Sequence, residues 1–125
     1  MIIDVTAAII CKDETYLIAR RSAGSHLAGL WEFPGGKLEE GENHAECLAR
    51  EILEELELEI TVGAHVFTSE YDYGEKEIRL HAYFAEVGGG NLELHSHAEI
   101  AWVTPAEFDN YEFAPADIPI IQRLK

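Results

Sequence analysis

The segment from Gly35 to Leu58 reads GGKLEEGENHAECLAREILEELEL, a glycine turn opening onto a helix that stacks carboxylates on one face. Glu51, Glu54 and Glu55 stand at i, i+3 and i+4, so their side chains rise from one patch of helix surface. Like charges at that spacing repel, each pair costing an isolated helix about 0.2–0.5 kcal/mol. No lysines are interleaved to relieve them, which points to a cation bound from outside. Carboxylate oxygens on a helix face, completed by water and phosphate oxygens, suit a hard divalent ion such as Mg2+. The decisive stretch therefore predicts an amphipathic helix and, with it, metal-assisted phosphate chemistry.

Around that helix the composition is that of an ordinary globular chain. Its 125 residues are 47% hydrophobic and 10% aromatic, and are expected to form a single domain over 1–125. A chain of this size buries roughly two-thirds of its unfolded surface, enough for a core without disulfide staples. Cys11 and Cys47 lack ligand-like spacing and are expected to be small buried hydrophobes in a reducing compartment. The net charge is −15, from 24 acidic and 9 basic residues. That balance argues against tracking a nucleic acid polymer, which draws on clustered Lys and Arg. A free nucleotide remains compatible with it, because bound metal inverts the local field. No apolar run reaches membrane length, and MIIDVTAAIICKDE lacks a basic leader region, so a cytoplasmic protein without membrane contact is expected.

Outward from the helix, the elements follow from periodicity and turn chemistry. Asp4 to Ile10 and Tyr16 to Ala19 are rich in β-branched and small apolar residues, joined by Lys12-Asp13-Glu14 as a hairpin turn. Ser22 to Leu30 reads as a loop, and Trp31-Glu32-Phe33 as a short extended piece stopped by Pro34-Gly35-Gly36. Over Asn43 to Glu57 the apolar positions Ala45, Leu48, Ala49, Ile52, Leu53 and Leu56 form the core stripe, with the acids largely opposite. Ile60 to Tyr73 and Ile78 to Val87 are predicted strands around a turn at Asp72 to Glu75. Gly88 to Asn91 is expected to be a flexible connection and Leu92 to Leu94 a brief strand. Ile100 to Val103 is a further strand, Thr104-Pro105 opens a short helix, and Pro115 to Leu124 closes as a helix. Strands and helices mixed in this order predict an α/β protein with a mixed sheet flanked by helices.

As a pattern, the central segment is G-x5-E-x7-R-E-U-x-E-E, with U aliphatic, on Gly36, Glu42, Arg50, Glu51, Ile52, Glu54 and Glu55. This resembles the Nudix box of the Nudix hydrolase family. The resemblance implies an α/β/α sandwich and hydrolysis of nucleoside diphosphates linked to another moiety, with Mg2+ as cofactor and Mn2+ able to substitute. It further implies that Glu54 and Glu55 ligate metal and that Glu51 shares the site and helps activate water. The Gly36 carbonyl would complete the inner shell, Arg50 would orient the glutamates, and Glu42 would tie the loop to the helix start. One position departs from the pattern: Glu57 stands where the family has glycine, which puts the helix ending in question.

WEFPGGK before the box, IARR in the second strand and APADIP near the end are similar to the MutT-like subgroup of nucleotide-pool enzymes. The implied reaction is (d)NTP plus water to (d)NMP and pyrophosphate, on (d)CTP-like or oxidised purine nucleotides. Arg21 matches a phosphate-contacting arginine of that subgroup. Lys37 and His26 are implied to line the substrate site, and Glu99 falls where many members place a further acid, a metal ligand or general base. Asp117 falls where the side chain that reads the base edge stands. An aspartate accepts hydrogen bonds, suiting an exocyclic amine. It is equally placed to cap the helix that follows. His95, His97 and Glu99 alternate and would share one side of an extended segment. Two other readings stay open: hydrolysis of ADP-ribose or another nucleoside diphosphate conjugate, and a non-catalytic nucleotide-binding module. Monomer and homodimer both fit the sequence.

Overall fold

The computed structural model describes residues 1–125. Seven strands form a mixed sheet: β1 (Ile2–Lys12), β2 (Thr15–Arg21), β3 (Trp31–Glu32), β4 (Gly35–Lys37), β5 (Leu58–Asp72), β6 (Glu77–Gly90) and β7 (His97–Val103). Two α-helices, α1 (His44–Leu56) and α2 (Ile118–Leu124), and 3-10 turns at Pro105–Asn110 and Pro115–Asp117 complete the chain. No helix is long and apolar enough to cross a membrane.

The strand β1 organises the whole arrangement. It runs parallel to β6 from Ile2↔Glu77 to Ile10↔Ala85, and antiparallel to β4 through Val5↔Lys37 and Ala7↔Gly35. At its end it pairs with β2 through a two-residue turn, where Asp13 (φ 50°) and Glu14 (φ 65°) both take left-handed backbone. That is the geometry a right-twisted hairpin favours. Successive β1 side chains go to opposite faces, and both faces are covered. Ala7 and Ile9 pack with Phe108, Ile120 and Ile121, while Ala8 and Ile10 pack with Leu48, Ile52 and Leu56 of α1. A strand buried on both sides reads as a continuous apolar run, as Ala7 to Ile10 does. Each fully buried Leu or Ile here contributes about 1.5–3 kcal/mol relative to exposure.

The helix α1 starts as its sequence dictates. Asn43 Oδ1 accepts from the Glu46 N–H at 2.8 Å, and Glu46 Oε1 accepts from the Asn43 N–H at 3.0 Å, a reciprocal cap. Its buried side differs from the expected stripe. Leu53 is 51% exposed and Ala45 is also exposed, whereas Cys47 is fully buried. Cys47, Glu51 and Glu55 lie at i, i+4 and i+8, so the acidic row continues a buried edge of the helix instead of facing bulk water.

Further differences concern chain ends and turns. Cys11 is exposed at the end of β1, where the pleat turns it outward. Gly88, Gly89 and Gly90 extend β6 instead of forming a loose connection: Gly89 and Gly90 pair with Glu59 and Leu58, and Gly88 is the extra residue where the register shifts. Leu92 to Leu94 forms no strand. The Asp117 carboxylate does not cap α2 but accepts from the Phe33 N–H at 2.9 Å. Glu57 ends α1 at φ 56°, ψ 31°, its N–H bonded to the Leu53 carbonyl at 3.0 Å. The helix thus keeps the left-handed ending that glycine normally supplies. A left-handed non-glycine residue costs about 1–2 kcal/mol. Part of this is offset by the exposed contact between Glu57 and His95. Glu57→Gly is therefore expected to raise stability by about 0.5–1 kcal/mol, a melting-temperature gain of a few degrees. A lower melting temperature would show that the His95 contact outweighs the strain.

Candidate active site

A cavity of about 450 Å³ opens where β4, α1, the end of β2, β3 and the turn before α2 meet. Gly36 and Lys37, Glu51 and Glu55, Arg21, and Asp117 all line it, as does His26 on the loop after β2. Of the site residues expected from sequence, these seven are brought together. Glu54 is 58% exposed beside Arg50, and Glu99 is paired with Arg20 at 3.0 Å outside the cavity wall.

Arg50 is the hub of the acidic cluster. Its Nε and Nη2 donate to the two Glu42 oxygens at 2.6 and 2.9 Å, a bidentate pair, and Nη1 donates to Glu51 Oε1 at 2.8 Å. Nη2 also donates to the Lys37 carbonyl at 3.2 Å, and Nη1 lies 3.5 Å from Glu54. These bonds hold the Glu42 carboxyl down at about 2, the Arg50 hydrogen bond being the largest cause, and raise the Arg50 guanidinium. Glu42 thus ties the loop to the helix. No three carboxylate, imidazole or thiol groups converge on one point in this conformation.

Glu55 is in a different electrostatic situation. Burial, then the nearby charges of Glu51 and Glu32, push its carboxyl up from 4.5 to about 8. Its Oε1 is buried with no hydrogen-bond partner. An orphaned buried carboxylate oxygen calls for an explanation such as an ion. At Gly36 a Cβ would lie 2.2 Å from the Glu51 Cδ, so the missing side chain is what admits the Glu51 carboxylate against β4. The hard oxygen donors, the unpartnered Glu55 oxygen and this close approach fit a divalent cation.

Arg21 donates from Nη1 to Glu32 Oε1 at 2.8 Å and from Nε to the His26 carbonyl, leaving Nη2 without a partner in the protein. Lys37 and Lys76, both on the cavity wall, are the two basic side chains engaged by no carboxylate, carbonyl or aromatic ring. In a chain of net charge −15, two uncommitted cations at one cavity make it locally favourable to an anion. Asp117 is buried, and that burial followed by the Glu32 charge drives its carboxyl well above the usual range. Tyr73, whose hydroxyl accepts from the Ala116 N–H at 3.1 Å, closes the wall beside it and meets the His26 ring edge-on at 5.3 Å.

Glu32, Tyr73, Lys76 and His97 also line the cavity and were not among the expected site residues. No local signal marks Lys76 or Tyr73, which arrive from the β5–β6 turn. The alternation of His95, His97 and Glu99 does not make a shared site: they pair separately with Glu57, Glu32 and Arg20.

The NUDIX domain profile matches residues 5–123, and the chain belongs to that family. Members of this family generally work with a divalent metal. The chain is 43% identical over 120 residues to the CTP pyrophosphohydrolase of Escherichia coli K12, covering 96% of this chain and 89% of that protein. It is 31% identical over 108 residues to the 8-oxo-dGTP diphosphatase of the same organism, covering 86% and 84%. The solution structure of the E. coli ORF135 protein superposes with a TM-score of 0.84 at 43% identity, covering 98% of this chain and 87% of that one.

Proposed function

We propose that this protein is a metal-dependent nucleoside triphosphate pyrophosphohydrolase, converting a (d)NTP and water to (d)NMP and pyrophosphate. One observation carries the reading. The half-buried Glu51–Glu55 pair, with the orphaned Glu55 oxygen, shares a single cavity with the free edge of Arg21 and the unpaired Lys37. Carboxylates that need a cation and cations that need an anion together describe a metal–polyphosphate complex. The names of the two E. coli relatives support (d)CTP-like or oxidised purine nucleotides as substrates.

In this reading Glu51, Glu54, Glu55 and the Gly36 carbonyl hold the cation, Mg2+ with Mn2+ as substitute, and Arg50 keeps the glutamates in place. A divalent ion there supplies Lewis acidity toward phosphate oxygens and an attacking water. Arg21 and Lys37 take the phosphates, with His26 beside them. Glu99 would have to leave Arg20 to reach the substrate. Asp117 lines the same cavity, and its Oδ1, which Phe33 does not engage, is the oxygen left for a base edge.

The test is a panel of dCTP, 5-methyl-dCTP, 8-oxo-dGTP and ADP-ribose with products resolved. Pyrophosphate release from the triphosphates is expected, whereas exclusive cleavage of ADP-ribose would overturn the proposal. Asp117→Ala is expected to reorder the panel by about 10-fold or more between bases, as loss of a buried polar contact does. An equal drop for every base would assign Asp117 to holding Phe33 instead.

A further inference from the structure

We infer that His97 is a positioning residue, set into the cleft by a β-bulge so that it clamps Glu32 and thereby orients Arg21 toward the substrate. The pairing of β2 with β7 slips at one place. Arg20 lies opposite Glu99, but Arg21 lies opposite His97, which leaves Ala98 as the extra residue. In an unbroken ladder Ala98 would face Arg21 and His97 would sit opposite the next residue along. The bulge re-aims the histidine, a use of bulges that recurs beside active sites.

The result is a carboxylate held at both ends. Glu32 Oε1 receives Arg21 Nη1 at 2.8 Å and Glu32 Oε2 receives His97 Nε2 at 2.9 Å. The His97 side chain is only 5% exposed and that of Glu32 17%. A carboxylate only accepts, so Nε2 must carry the proton. In the neutral ring Nδ1 is then a bare acceptor, and it is buried without a partner. An imidazole kept for packing would not sit with one nitrogen unsatisfied when an apolar side chain could fill the space. Its Nε2 contact is what holds it there. With Glu32 fixed from the far side and the His26 carbonyl taking Nε, the Arg21 guanidinium has one setting, and its unpartnered Nη2 edge is what remains for a phosphate oxygen.

This inference rests on Arg21 being the phosphate contact, and the experiment separates the two. Steady-state rates on dCTP with Mg2+ are measured for His97→Leu, His97→Gln, Arg21→Ala and the His97→Leu/Arg21→Ala pair. His97→Leu is expected to raise KM about 5- to 20-fold with kcat little changed, the size of one charge-assisted hydrogen bond. His97→Gln, which keeps a donor near the Nε2 position, is expected to recover most of that loss. The double variant should be no worse than Arg21→Ala alone, because both act through one contact. Full additivity, or failure of glutamine to rescue, overturns the inference. Nitrogen-15 spectra of the wild type at about pH 8 provide a readout independent of turnover: the Nε2–H tautomer is expected for His97, and the Nδ1–H tautomer overturns the clamp. An unchanged KM in Arg21→Ala with the Nε2–H tautomer present would instead overturn the phosphate role and leave the clamp standing.

Discussion

Replacing Glu55 by glutamine is expected to cut metal-dependent turnover by about 100- to 1000-fold, the several kcal/mol that a lost metal contact removes from transition-state stabilisation. The same change should make the metal-free protein more stable at pH 8. Burial and the Glu51 charge raise the folded-state carboxyl to about 8 from 4.5. Between those values the folded protein binds the proton that the unfolded chain has released. Stability from this group is therefore greatest below about pH 4.5 and falls as pH rises through about 8. At about 1.4 kcal/mol per pKa unit, less what residual solvent access screens, the burden reaches on the order of 2–4 kcal/mol at high pH. Glutamine has no charge to bury. Melting curves of the metal-free wild type and variant should coincide near pH 5 and separate by several degrees at pH 8, with the variant higher. Saturating Mg2+ should then raise the wild type and leave the variant where it is. Parallel curves at all pH values would contradict the buried-charge reading, and wild-type turnover in saturating Mg2+ would contradict the ligand role. Glu54→Gln should also lose metal-dependent turnover while leaving the fold intact, since the Glu54 side chain is 58% exposed.

Adjacent glycines give the second large effect, in two different currencies. At Gly36 an added Cβ meets the Glu51 carboxylate at 2.2 Å, the far end of a flexible side chain. Gly36→Ala should therefore fold and displace the carboxylate. A misplacement of about 1 Å in an active site can cost about 100-fold in rate. At Gly35 the added Cβ meets the Thr6 carbonyl oxygen at 2.0 Å, inside the β1–β4 ladder. Backbone cannot swing aside, and Gly35→Ala should lose about 3 kcal/mol or more through forced overpacking. Melting temperature and turnover measured on both variants separate the cases. Equal loss of stability in the two would show that Glu51 has no freedom to yield.

Both predictions draw on residues that stand out in the chain, yet their environments do not. The acidic row was legible because i, i+3, i+4 spacing is a property of the helix alone. That a Glu55 oxygen is buried and Glu54 exposed was not, because it depends on β4 lying over one edge of α1. The same limit applies at Asp117. Its suitability as a cap is local, but the Phe33 N–H that it binds comes from 84 residues away in the chain. Gly88 to Gly90 read as a loose linker by composition, and became strand because Leu58 and Glu59 offered a partner.

What the sequence by itself determined is whatever depends on neighbours within a few residues. That includes the helix α1, the β1–β2 hairpin and the box from Gly36 to Glu55. What only the tertiary structure decided is which charges lose their water and which find a partner. Glu55 and Asp117 are driven up by burial, Lys37 and Lys76 are left uncommitted at one cavity, and His97 is turned onto Glu32 by a single extra residue in a strand. The reason is physical. Helix and turn formation are local, whereas desolvation and strand register arise where distant segments of chain exclude water from one another.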